Sequence, residues 1–130
     1  MLYVRDVELR MSPLRPPAAP VVSERWVGHR CVLSVEGEID IADVPLLEQS
    51  IDAAVAAAAT EVWIDLAPAT FIDVVCVNCL LREQRALRQL NRRFVVIAPA
   101  DGPGRRVLEL TGAGRQLELY ATRNGAHLGA

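Results

Sequence analysis

Asp65-Leu66-Ala67-Pro68-Ala69-Thr70-Phe71-Ile72-Asp73-Val74-Val75-Cys76 is the stretch on which the fold depends. Just before and into it, Val62-Trp63-Ile64-Asp65-Leu66 is a short apolar run ending near an acid, which reads as a strand. Pro68 interrupts it, and a tight loop leads to Phe71-Ile72-Asp73. Beyond, Val77, Leu80, Gln84 and Leu87 recur at helical spacing, while Asn78, Arg82, Arg85 and Gln89 fall on the opposite side. That pattern predicts a helix from about Val74 to Leu90, with Asp73 as its N-cap.

The same unit recurs on either side. Cys31, Leu33 and Val35 alternate with Val32, Ser34 and Glu36, giving a strand that Gly37 ends. Asp43 is placed to cap a following helix, with Pro45 in its first turn. Leu47, Ile51, Ala54, Val55 and Ala58 mark that helix's apolar face. Phe94-Val95-Val96-Ile97-Ala98 is apolar throughout, as a strand buried on both faces of a parallel sheet must be. Pro103 to Leu110 reads as a short helix closed by Gly112. A last strand alternates Leu117 and Leu119 with Glu118 and Tyr120, and a final helix begins near Thr122. Alternating strands and helices predict an α/β fold: a single domain, mostly parallel sheet, with helices packed against it. Right-handed crossovers bring Asp40, Asp73 and the loop after Ala98 to one sheet edge, where a ligand or partner binds.

At 130 residues and 52% hydrophobic, the chain suffices for one domain with a full core. Residues 1–20 read as an arm: Val7, Leu9 and Met11 alternate like a short strand, and Pro13, Pro16, Pro17 and Pro20 then break the chain. The domain proper spans 21–130. All 14 cations are Arg, yet they form no dense run, so nucleic acid is not an expected partner. The longest aliphatic run, Ala53 to Ala59, is too short to span a bilayer. The charged N-terminus is unlike a secretion signal, and three Cys do not make a disulfide framework. A cytoplasmic protein without a membrane partner is expected.

Three segments together carry a family likeness: Gly37-Glu38-Ile39-Asp40, Phe71-Ile72-Asp73 at the helix start, and Val107-Leu108-Glu109-Leu110-Thr111-Gly112. In order and spacing they resemble the STAS family of anti-sigma factor antagonists, over roughly Arg30 to Ala126. The resemblance implies a bacterial transcription regulator, not an enzyme, that needs no cofactor. Its partner would be a kinase-type anti-sigma factor, whose capture releases a sigma factor; a homodimer is left open. It also implies a partner surface made by Asp40, Asp43, Asp73, Val74 and Val75. In the family, the residue after the helix-opening Asp is a Ser or Thr that the kinase phosphorylates, adding roughly −1.5 to −2 charge at the interface. Here that position is Val74, which offers no hydroxyl. Thr70 is the nearest hydroxyl, but it precedes the motif. The family also supplies non-switching scaffold subunits, a third reading.

Cys76 and Cys79 form a Cys-x-x-Cys at the helix start. A helix N-terminus favours thiolate, so a redox switch or a thioredoxin-like protein is an alternative to packing. Val77-Asn78 lacks the Gly-Pro of that enzyme class. His29 and Cys31, on one side of a strand, would complete a zinc ligand set with the two cysteines, but the spacing fits no short zinc motif, and no metal is expected. No Ser/His/acid set supports a hydrolase.

Overall fold

The computed structural model describes residues 20–128. The strand expected over Val7–Met11 lies outside them. Six strands and four helices follow one another as β1 (Val21–Val27), β2 (Arg30–Ile39), α1 (Val44–Ala56), β3 (Glu61–Asp65), β4 (Ala69–Ile72), α2 (Val74–Gln89), β5 (Arg93–Ile97), α3 (Pro103–Thr111), β6 (Glu118–Tyr120) and α4 (Arg123–Leu128). The sheet order is β1-β2-β3-β5-β6, and only β1 runs antiparallel to its neighbour. The expected α/β domain with a mostly parallel sheet is therefore the observed one.

Strand alternation divides the core in two. Cys31, Leu33, Val35, Val62, Ile64, Phe94 and Val96 face one side, where they pack with residues of α1, α2 and α3. Val32, Trp63, Val95 and Ile97 face the other, under Ala126 of α4. Both faces are covered, which is why β5 is apolar without alternation. At the starts of the strands, Glu61 accepts from Arg30 and Arg93 at 3.2 Å each and from Trp63 Nε1 at 2.9 Å, and Arg93 also pairs with Glu118. The Arg30 guanidinium lies 4.0 Å from the Trp63 ring centroid. At the other end of β3, buried Asp65 holds the turn: its Oδ1 accepts from Ala67 N at 2.9 Å and its Oδ2 from Arg123 Nε at 2.7 Å.

Several local expectations change. β1 has no clear signature in the sequence, because Glu24 breaks the apolar alternation of Val22 and Trp26; it is fixed by a hairpin to β2 through Gly28 and His29. Phe71 and Ile72, which the sequence pattern assigns to no element, belong to β4. That strand is legible only through its partner: Gly37, Glu38 and Ile39 of β2 pair with Ala69, Phe71 and Ile72, beyond the point where β3 stops. Gly37, at φ +97°, does not end β2 but sits at a register shift within the β2–β4 pairing, where Thr70 is passed over. α1 ends at Ala56, and Ala58 takes a left-handed conformation at φ +69° rather than extending the apolar face. Gly112, at φ +76°, caps α3 as expected.

Candidate functional site

The site forms where β2 and β4 end and α2 begins. Asp73 N donates to Ile39 O at 2.9 Å, so the residue that opens α2 is stitched to the last residue of β2. The Asp73 side chain is the expected cap: its Oδ1 accepts from Val75 N at 2.8 Å. From the facing side, Asp40 Oδ1 accepts from Ala42 N at 2.9 Å, and Asp43 Oδ2 accepts from Asp40 N at 3.0 Å. This reciprocal box closes a 3-10 turn, Ile41–Asp43, ahead of α1. Asp43, expected to cap α1 itself, makes no side-chain bond to that helix. Its carboxylate is already committed to the turn.

Three acids thus gather around one helix start, and apolar side chains stand among them. Val74 is the first residue of α2 and is 53% exposed. Ile41 is 63% and Phe71 48% exposed. Glu38 pairs with Phe71, and Ile39 with Ile72. The pairing brings residues 38–41 alongside 71–74, so Ile41, Phe71 and Val74 share this end of the molecule. Val75 is half-buried. The loop after Ala98 leaves Val74 uncovered. It carries the start of α3 against the core side of β4 instead: a Cβ on Gly104 would meet Ile72 Cδ1 at 3.1 Å and Leu66 Cβ at 3.4 Å. Thr70, in β4, is exposed. Of these groups, Ile41 and Phe71 are the ones the sequence does not single out. Phe71 reveals itself only through its β-pairing.

The cysteines behave differently from what a helix start alone predicts. Cys76 is 1% and Cys79 0% exposed. Cys76 Sγ lies 3.4 Å from Asp40 O and can donate to it. Burial pushes the Cys76 thiol up to about 11, and the Asp73, Asp43 and Asp40 carboxylates add to this. Burial and the Glu48 and Glu83 carboxylates push Cys79 up to about 12. Desolvation and negative neighbours outweigh the helix dipole. The zinc set does not assemble: His29 is exposed in the β1–β2 turn, while Cys31 is a core residue whose thiol burial pushes up to about 11. Among the described residues, the group with candidate ligand atoms within 4.8 Å of one another is Glu48, Cys79 and Glu83, between α1 and α2. Glu48 there already accepts from Arg82 at 3.2 Å. No helix among the described residues is long and apolar enough to cross a membrane.

Comparison with known proteins places this geometry. No curated protein matches the chain. The solved structure of an anti-sigma factor antagonist from Mycobacterium paratuberculosis is 32% identical, with a TM-score of 0.78, over 88% of this chain and 96% of that one. SpoIIAA in its unphosphorylated form has a TM-score of 0.67 at 23% identity, over 82% of this chain and 92% of its own. The Bacillus cell fate determinant SpoIIAA in its phosphorylated form has a TM-score of 0.61 at 23% identity, over 82% and 96%. Those two likenesses speak for the fold alone. The family model described as "Mlab, STAS domain" matches residues 22–120, most of the chain. The chain belongs to the STAS domain family.

Proposed function

We propose that this chain is an anti-sigma factor antagonist that binds its partner through the start of α2 and is not switched by phosphorylation there. The observation that carries the reading is the exposed valine at the head of α2. Val74 follows the capping Asp73 at the place where the family's phosphoacceptor is expected, and it stands in solvent beside Ile41 and Phe71. Exposed branched side chains within a ring of carboxylates suit a protein partner: an apolar centre for burial and a charged rim for orientation. The Mycobacterium relative, an anti-sigma factor antagonist, supports the role. The partner on this reading is a kinase-type anti-sigma factor, and binding it frees a sigma factor. Asp40, Asp43 and Val75 complete the surface.

The test is binding and phosphate transfer with the cognate anti-sigma factor and ATP. The wild-type chain binds and takes no phosphate on residues 70–76. Val74→Ser becomes a phosphate acceptor, and Val74→Asp lowers affinity by placing a second carboxylate beside Asp73. Stoichiometric phosphate on Thr70, or full affinity in Val74→Asp, overturns the proposal. A second reading is a non-switching STAS subunit of a larger assembly, favoured by the absent hydroxyl at Val74. Binding to no anti-sigma factor would select it. The redox alternative through Cys76 and Cys79 has burial and raised thiol pKa values against it. Equal partner affinity for reduced and oxidised protein would close it.

A further inference from the structure

At the other end of β2 from the helix-start surface, β1, β2, β3 and α4 border a cleft of about 260 Å³ on the rear face of the sheet. Three guanidiniums, those of Arg25, Arg30 and Arg123, line it with Asn124 and His127, and among the described residues no carboxylate does. These polar groups are reachable. Arg25, Asn124 and His127 are exposed, and the Arg123 and Arg30 side chains keep 41% and 17% of their surface open. Trp63 and Val32 are buried and only close the cleft from behind. Two of the guanidiniums are fixed from that side. Arg123 Nε donates to Asp65 Oδ2 at 2.7 Å, and Arg30 Nε donates to Glu61 Oε1 at 3.2 Å. Both bonds use Nε, which leaves Nη groups for a ligand. Arg30 Nη1 also lies 3.2 Å from His127 Nδ1. A guanidinium can only donate, so Nδ1 is the acceptor there and the ring proton sits on Nε2, a further donor.

The charges behind the lining do not cancel it. Asp65 offsets Arg123, but Glu61 is shared between Arg30 and Arg93. Arg25 sits across from Val32 in the β1–β2 ladder, where its direct neighbour carries no charge. The cleft is left net positive, with like charges gathered in a space that an anion would relieve. Guanidiniums already held in place lose little freedom on binding, and each presents a planar fork of N–H groups to oxyanions. Donors converge from β1, β2 and α4. A carboxylate has two oxygens to offer them, whereas a phosphate group has three or four and about twice the charge. The volume lies below the usual range for drug-sized ligands and suits a group of that size. We propose that this cleft binds a phosphate group, as the free ion or a small monoester, held by Arg25, Arg30 and Arg123 with His127 Nε2–H.

The test is a ¹H–¹⁵N NMR titration of the full chain at fixed ionic strength, following the Arg25, Arg30 and Arg123 Nε–H signals and the Asn124 amide. Inorganic phosphate and glycerol 3-phosphate are the probes, and the tighter of the two tells free ion from monoester. Acetate tests the demand for a dianion, and sodium chloride alone tests screening. The expected result is saturable shifts with a phosphate probe, weaker binding of acetate, and no saturable shift with chloride. Arg25→Gln should lower phosphate affinity by about 10-fold or more, as loss of a charge-assisted hydrogen bond requires. His127→Ala, which removes one neutral donor, should lower it by about 3-fold or more. Both residues are exposed, so neither change should disturb the fold, and amide spectra of the unliganded variants check this. Shifts that do not saturate, acetate binding as tightly as phosphate, or affinity unchanged in both variants overturns the proposal.

Discussion

Replacing Asp73 tests how the helix start is held. The side chain does two separable things: Oδ1 accepts from Val75 N at 2.8 Å, and the carboxylate places negative charge at the positive end of α2. Asp73→Ala removes both. Loss of the cap costs about 1 kcal/mol, within a range of roughly 0.5–2. Loss of the charge adds roughly 0.3–1 kcal/mol, but removing one of three neighbouring acids relieves repulsion with Asp40 and Asp43 and offsets part of it. The expected net loss is about 1 kcal/mol. Asp73→Asn keeps the acceptor and drops only the charge, so it should stay within about 0.5 kcal/mol of wild type. Urea unfolding at neutral pH, followed by far-UV circular dichroism with a common slope, reads both values. Equal losses in the two variants would show that charge, not the capping bond, holds the helix start. No loss in Asp73→Ala would refute the reasoning altogether. Partner affinity measured on the same two proteins separates stability from recognition: weaker binding by Asp73→Asn, at unchanged stability, assigns the charge to the interface.

Two further outcomes follow from the packing. Cys76 titrates at about 11 in the folded protein against an ordinary 9.0, so the unfolded chain gives up that proton first. Stability from this thiol is complete below about pH 9 and falls as pH rises toward 11, by about 3 kcal/mol across the window. Cys76→Ala should flatten the alkaline limb of the stability curve relative to wild type, and parallel curves would contradict the burial argument. Ala58, at φ +69°, holds a conformation that costs an L-residue about 1–2 kcal/mol. Ala58→Gly should gain about 0.5–1 kcal/mol after the added flexibility of the unfolded chain is counted, a shift that chemical denaturation resolves.

The elements with a local signature are the ones legible in the sequence. α2 announces itself because Asp73 caps it and Val77, Leu80, Gln84 and Leu87 repeat on one face. β5 does so because both of its faces are covered. β4 has no such signature. Its four residues are a strand because Ile39 and its neighbours run past the end of β3 and offer them a ladder. The exposure of Phe71 depends on that pairing and is hidden from any local pattern. Asp43 misleads for a related reason: its carboxylate turns back to Asp40 N instead of forward to α1, a choice made by the 3-10 turn between them. The thiols mislead because helix position can be read from spacing, whereas burial is known only once α2 is seated on the sheet. The cleft lined by Arg25, Arg30, Arg123 and His127 carries no signal at all, since it exists only after α4 is seated on the sheet.

The ten residues of β2 tie the two ends of the molecule together, and the tryptophans stand at only one of them. Trp26 pairs with Cys31 and Trp63 with Val32, at the beginning of that strand. Ile39 and the helix-start surface lie at its far end. Eight residues of extended chain put them roughly 25 Å apart. Intrinsic fluorescence therefore reports on the hairpin and the rear of the sheet and would stay silent to any partner docked on Val74. Phe71→Trp would place an emitter on the rim of that surface, and Trp63→Phe would remove the main buried background, turning the optical blind spot into the part of the protein best seen.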